Sequence, residues 1–182
     1  KKEQQKSLNV TAIIEAAKIL GSSNTGALIV FSRESPLRFY AESGDQIDAV
    51  ISKRLIISIF NKYSPLHDGA VIIHNGKISA ARCILPVSDK DDLEANFGLR
   101  HRAAIGMSDT TDTLILVVSE ETGQLSLARN GVLTHNLPPQ ELRKSINSYL
   151  FDEEEEKNAV ANASSNKEQL QPSEFKELKV ES

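Results

Sequence analysis

The sequence is poor in the features that announce several common classes of protein. Its 182 residues contain one cysteine, Cys83, so no internal disulfide can form and nothing points to an oxidising compartment. Cys83 lies in the apolar run Ala80-Ala81-Arg82-Cys83-Ile84-Leu85, where a small buried hydrophobe is the expected role and a catalytic thiol the rival one. No apolar stretch approaches the ~20 residues that cross a bilayer, and no signal peptide is visible. An initiating methionine is also missing. The chain opens on Lys1-Lys2-Glu3-Gln4-Gln5-Lys6, as expected of a piece excised from a longer protein whose membrane segment would precede Lys1. There is no basic surplus: the net charge is −4, of which residues 151–182, with nine acids and four bases, carry −5. The near-neutral remainder gives no support to binding of long nucleic acid, while a small anionic ligand held by a few local cations stays compatible. Zinc-ligand spacing, a P-loop, a Rossmann glycine fingerprint, a nucleophilic serine elbow and internal repeats are all absent.

What is present is ample apolar material for one core: 40% of the residues are hydrophobic, concentrated in the first 150 positions. The organisation expected is a linker over 1–9, a globular domain over 10–150 and an acidic tail over 151–182. That tail contains Glu153-Glu154-Glu155-Glu156 and too little apolar surface to offset its ordering entropy, so disorder is expected there.

Within the domain, Val10, Ile13, Ile14, Ala17 and Leu20 share one helical face, and Gly21 follows as a stop. Gly26 to Phe31 is an unbroken apolar run, the pattern of a strand covered on both faces. A second helix is predicted over Ser52 to Lys62, with Ser52 as its cap and Ser64-Pro65 ending it. Ala70 to His74 and Lys77 to Leu85 flank Asn75-Gly76, a strong hairpin signal. Asp89 to Asn96 reads as a loop or short surface helix, Ala103 to Met107 as helix, and Thr113 to Ser119 as strand. Glu120 to Gly123 turns into a strand over Gln124 to Arg129, Asn130-Gly131 turns again, and Pro138 to Leu150 reads as a closing helix. Helices alternate with strands, but two hairpins interrupt the alternation. The predicted fold class is therefore α/β, a central mixed β-sheet flanked by helices in one globular domain.

Two charged clusters about thirty residues apart carry the chemistry: Leu66-His67-Asp68-Gly69-Ala70 and Gly98-Leu99-Arg100-His101-Arg102-Ala103. Asp68, at the mouth of an apolar strand, can reach a cleft while the strand anchors it, and Gly69 would let a ligand approach the main chain. Asp-Gly by itself is equally the composition of a turn. Guanidinium forks suit phosphate oxygens, and a following helix N-terminus adds a favourable dipole. On a regular helix, however, Arg100 and Arg102 diverge by about 200°. Both can face one nucleotide only if the segment enters the helix irregularly; otherwise one has a structural or interface role. Glu120 and Glu121 stand at a strand end. If one points inward it could complete a divalent-metal site with Asp68, and His67 could add a nitrogen ligand.

These motifs and their flanks, Thr25-Gly26-Ala27-Leu28-Ile29-Val30 and Val117-Val118-Ser119-Glu120-Glu121-Thr122-Gly123, resemble the bacterial diadenylate cyclases (the DAC domain family). The resemblance covers about residues 10 to 150 and is to the membrane-anchored CdaA type. It implies condensation of two ATP molecules into cyclic di-AMP with loss of two pyrophosphates, each 3′-hydroxyl attacking the α-phosphorus of the other ATP. It further implies a divalent ion (Mn2+, Mg2+ or Co2+), a homodimer in which two sites meet across a two-fold axis, and the cytoplasmic face of a membrane. A regulatory protein partner is compatible with it.

By the same resemblance Asp68 serves as metal ligand and proton acceptor, with His67 and Glu121 metal-associated. Arg100, Arg102 and Ser119 would contact phosphates, and His101 joins the catalytic set. Gly69, Ala70, Ile84, Leu85 and Leu99 would belong to the nucleotide site, with Ile84 and Leu85 along the base. Leu99 departs from the family pattern, which has a small polar residue there, so any hydroxyl contact to phosphate at that position is lost. The acidic tail is also outside the pattern. The rival readings are a catalytically silent module that senses ATP or cyclic di-AMP, and a scaffold whose tail recruits a basic partner.

Overall fold

The structure is a computed structural model and describes residues 1–90 and 97–152; most of the predicted loop at 89–96 and nearly all of the acidic tail lie outside the described residues. The chain falls into two compact units, Lys1–Ile146 and Asn147–Ser182. Of the second, a single π-helical turn, Ser148–Asp152, is described as regular structure.

The first unit is built on a seven-stranded sheet. Its strands are β1 (Ala27–Ser32), β2 (Asp45–Val50), β3 (Ala70–His74), β4 (Lys77–Cys83), β5 (Thr113–Val118), β6 (Leu125–Arg129) and β7 (Val132–Thr134), in the order β2-β4-β3-β1-β5-β6-β7. Only β1 and β3 pair parallel; every other neighbour is antiparallel. The sheet is therefore mixed, as the hairpin signals require. Asn75 and Gly76 take φ of +54° and +70°, and Asn130 and Gly131 +53° and +78°. Two consecutive left-handed residues suit the tight turns that match strand twist.

The helices are α1 (Lys2–Ser22), α2 (Arg38–Ala41), α3 (Lys53–Phe60), α4 (Leu99–Thr110) and α5 (Pro139–Asn147). Strand alternation divides the core between the two faces of the sheet. Leu28, Val30, Ala70, Ile72, Ile115 and Val117 cluster with Ala103, Ala104 and Met107 of α4. The intervening Ile29, Phe31, Val71 and Leu116 are buried on the other face, where α1 and α3 pack together. The predicted face of α1 (Val10, Ile13, Ile14, Ala17, Leu20) is entirely buried. Each of the Val, Ile and Leu side chains among them contributes roughly 1.5–3 kcal/mol.

Several boundaries differ from expectation. Helix α1 begins at Lys2, so the segment expected as a linker over 1–9 is helical, continuous with the face that docks on the sheet. Ser52 does cap α3, its hydroxyl accepting from the Leu55 amide at 3.2 Å, but the helix ends at Phe60, before Ser64-Pro65. Helix α4 starts four residues earlier than Ala103, with Gly98 as N-cap, which makes Arg100-His101-Arg102 its first turn. Strand β2 carries no clear sequence signal. It is a sheet edge with a bulge between Gln46 and Ala49 and Asp48 at φ +50°, and an edge buries too little to demand a clean apolar alternation.

Candidate active site

One cleft of about 570 Å³ opens at the end of the sheet where β1 and β3 begin and β4 and β5 finish. The mixed topology makes this possible: antiparallel β4 and β5 deliver their last residues to the same rim as the first residues of β3. Asp68 and Gly69 come from the entry to β3, Cys83, Ile84 and Leu85 from the exit of β4, and Val118 to Glu121 from the exit of β5. The first turn of α4 closes the remaining side with Gly98, Leu99, Arg100 and His101.

The walls are chemically divided. Leu28, Leu85, Val87 and Val118 form apolar surface, suited to a flat aromatic base. The N-terminus of α4 also borders the cleft through Gly98 to His101, and its N-cap Gly98 makes no side-chain cap hydrogen bond, so a favourable dipole lies at that edge. Arg100 projects there with its Nη1 donating to Glu120 Oε2 at 3.2 Å; the Arg100 side chain is 25% exposed and that of Glu120 64%. Burial lowers the pKa of His101, opposed by the Glu121 carboxylate and assisted by Arg100 and His135. Its ring stacks on Phe97 with centroids 5.0 Å apart. His101 is therefore a neutral, packed imidazole at neutral pH. Burial, reinforced by Asp45, pushes the Cys83 thiol up to about 11, which fits the hydrophobe and not the nucleophile.

Of the residues expected at a site, Asp68, Gly69, Ile84, Leu85, Leu99, Arg100, His101, Ser119 and Glu121 line this cleft. Three do not. Ala70 is fully buried in the core, paired with Cys83 across the β3–β4 ladder. His67 is turned into its own loop, Nδ1–H donating to the Ser64 carbonyl at 2.7 Å. Arg102 points away from the cleft and donates to the Lys90 carbonyl at 3.2 Å. The expected convergence of two arginines fails because α4 is regular from Leu99 onward, which turns residues 100 and 102 to different sides.

At two further positions local packing supplies a structural role beside the expected one. Gly69 has φ +129°, and a Cβ there would lie 2.7 Å from the Arg82 carbonyl carbon. Its missing side chain accommodates the β4 backbone, which is by itself a sufficient reason for glycine at this position of the cleft lining. Ser119 Oγ accepts from the amides of Glu121 (3.3 Å) and Thr122 (3.2 Å), closing the turn that presents the two glutamates. Among the described residues no three His, Cys, Asp or Glu side chains gather as a metal cage, so the His67–Asp68–Glu121 set is not assembled. Of that set Asp68 and Glu121 line the cleft, beside Glu120, which is engaged by Arg100. Two hard oxygen donors fit an ion that arrives with substrate phosphates, the usual manner for magnesium-like cations.

The Arg100 seat was missed by sequence reasoning: a Cβ on Gly26 would fall 2.5 Å from the Arg100 Cζ. No local pattern distinguishes that glycine from an ordinary strand opener. Leu28, Val87 and Val118 were likewise readable only as apolar residues.

Comparison with known proteins follows the same residues. The family described as DisA bacterial checkpoint controller nucleotide-binding matches residues 14–133. The cyclic di-AMP synthase CdaA of Bacillus subtilis is 40% identical over 144 residues, 79% of this chain and 53% of that protein. A diadenylate cyclase of Listeria monocytogenes is 41% identical over 137 residues, covering 75% of this chain and 50% of the relative. The chain thus spans about half the length of the curated relatives it matches. Among solved structures, a double-cysteine mutant of DacA from Staphylococcus aureus superposes with a TM-score of 0.78 at 36% identity, covering 83% of this chain and 99% of that one. A hypothetical membrane-spanning protein from Bacillus cereus gives 0.67 at 42% identity, over 70% and 63%.

Proposed function

Because the chain belongs to the DisA bacterial checkpoint controller nucleotide-binding (DAC) family, we propose that its first unit is a diadenylate cyclase, joining two ATP molecules into cyclic di-AMP. The names of the Bacillus and Listeria relatives support the activity. The observation that carries it in this chain is the meeting of Asp68 and Arg100, from separate elements, on one cleft with an apolar wall.

The chemistry balances as two identical transfers. In each, a ribose 3′-oxygen forms a bond to the α-phosphorus of the other ATP, the bond from that phosphorus to the β-bridging oxygen breaks, and pyrophosphate leaves. The hydroxyl proton passes to a base, for which the Asp68 carboxylate is the candidate. Arg100 and the amides at the head of α4 counter the charge that grows on the phosphoryl oxygens. Leu85 and the other apolar residues hold the base and keep water from one side. Asp68 and Glu121 would hold a divalent ion, Mn2+, Mg2+ or Co2+, which when bound neutralises phosphate charge and acidifies the attacking hydroxyl. Glu121 also keeps its carboxylate beside the neutral His101, and Phe97 holds that ring from behind.

Each subunit presents one ATP, so turnover needs a second copy face to face. The large apolar side chains Ile84, Val87 and Leu99, 71%, 51% and 75% exposed around the cleft, are consistent with a mouth that another surface covers. The description of the Bacillus cereus neighbour as membrane-spanning supports placing the whole protein at the cytoplasmic face of a membrane; no helix among the described residues is long and apolar enough to cross one.

The test is incubation with ATP and Mn2+ and detection of cyclic di-AMP by mass spectrometry. The expected result is product whose rate rises more steeply than linearly with protein concentration, and its loss by about 10²-fold or more in Asp68→Asn with an unchanged circular dichroism spectrum. ATP binding without product at high protein concentration would refute the cyclase.

A further inference from the structure

We infer that Gly26 is the seat of the Arg100 guanidinium, a positioning residue whose missing side chain sets where that arginine's fork lies in the cleft. The inference rests on the proposed reading in one respect, that Arg100 is the arginine facing phosphate.

Three observations carry it. First, the three atoms nearest to a Cβ built on Gly26 all belong to Arg100: Cζ and Nη1 at 2.5 Å and Nε at 2.9 Å. The guanidinium therefore packs against the main chain at residue 26 more closely than any residue with a side chain allows. Second, Gly26 is not among the positive-φ glycines. A left-handed backbone, the usual conformational reason for glycine, is therefore not the explanation here. Third, Glu120 draws on the same guanidinium from the β5–β6 turn, at 3.2 Å from Nη1. Glu120 takes one of five N–H donors, and among the described residues no other acceptor engages the fork.

Slot and counter-charge together fix a side chain that otherwise has four rotatable bonds. Preorganisation of this kind determines whether a planar fork meets phosphate oxygens in register. The exposed Glu120 contributes little by itself, so the slot is the stronger restraint. The three atoms nearest to a Cβ at residue 26 all belong to the far end of a flexible side chain. Gly26→Ala should therefore move the guanidinium and leave the fold in place.

The test uses binding, which needs no turnover. The probes are adenosine and an α,β-methylene ATP analogue that cannot release pyrophosphate, titrated into the wild-type chain, Gly26→Ala, Arg100→Ala and the double variant. Gly26→Ala should weaken the analogue about tenfold or more, the scale of a lost charge-assisted hydrogen bond. Adenosine affinity should stay within about twofold, and Gly26→Ala should add nothing in the Arg100→Ala background.

An unchanged analogue affinity overturns the inference. So does a loss shared equally by adenosine, or the same loss repeated without Arg100, since either marks general damage to the cleft. Should Gly26→Ala fail to fold, restored folding in the double variant supports the slot and continued failure overturns it. A wild-type chain that binds the analogue but makes no cyclic di-AMP from ATP refutes the cyclase and leaves the seat standing. One that binds neither probe overturns both.

Discussion

Replacing Gly69 with alanine separates two accounts of the Asp-Gly motif. If the glycine exists to admit a ligand, the variant folds normally and loses nucleotide binding. The packing argues otherwise. A Cβ at residue 69 would stand 2.7 Å from the Arg82 carbonyl carbon, 2.9 Å from the Arg82 Cα and 2.9 Å from the Cys83 carbonyl oxygen. All three are backbone atoms of β4, a strand held between β2 and β3, so the neighbour cannot swing aside as an arginine tip can. The ladder is already irregular here: Arg82 has φ +55° and the register shifts between Ala70 and Ile72. Forcing a side chain to φ +129° costs about 1–3 kcal/mol, and the overpacking a similar amount. At about 2–4 °C per kcal/mol for a domain of this size, Tm should fall by at least about 4 °C. Thermal melting followed by circular dichroism, with the denaturant midpoint as a check, reads this directly. A variant that melts with the wild type, whatever its activity, refutes the steric argument and restores the ligand-approach account.

The divergence of the two arginines gives a second expectation. Arg102→Ala should leave ATP affinity within about twofold while Arg100→Ala loses about tenfold or more, measured by calorimetry on the same preparation; equal losses would show that both reach the nucleotide. A third concerns pH. Burial holds the His101 pKa below the ordinary imidazole value of about 6.5, so between that value and the folded one the unfolded chain binds more protons. Stability should therefore fall as pH drops from about 6.5 through that window. His101→Gln should flatten that part of a Tm-against-pH curve, and an unaltered slope would mean that the imidazole is not the group responsible.

How far the site could be read from sequence follows from which forces placed each residue. Asp68 and Arg100 were legible because each is tied to a strong local signal, a strand of Val and Ile after a break and the first turn of a small-residue helix. The central strands and the Asn-Gly hairpin were legible for the same reason, since burial on two faces and left-handed turn residues leave little choice of pattern. Edge strand β2 was not, because polar Asp45, Gln46 and Asp48 suit a bulged edge and a loop equally.

The direction of a side chain around a helix depends on where the helix starts, and that start was placed at Ala103. Moving it to Leu99 makes the Arg-His-Arg run regular and sends Arg102 to the Lys90 carbonyl. One boundary thus decided whether two guanidinium groups or one serve the cleft. The two glycines show the limit from the other side. In sequence each stands beside an apolar strand. In the structure Gly69 yields to a rigid backbone and Gly26 to a mobile side chain, so alanine should unseat the fold at one and a single functional group at the other. That contrast is a property of what lies across the gap, and only the assembled sheet brings it there.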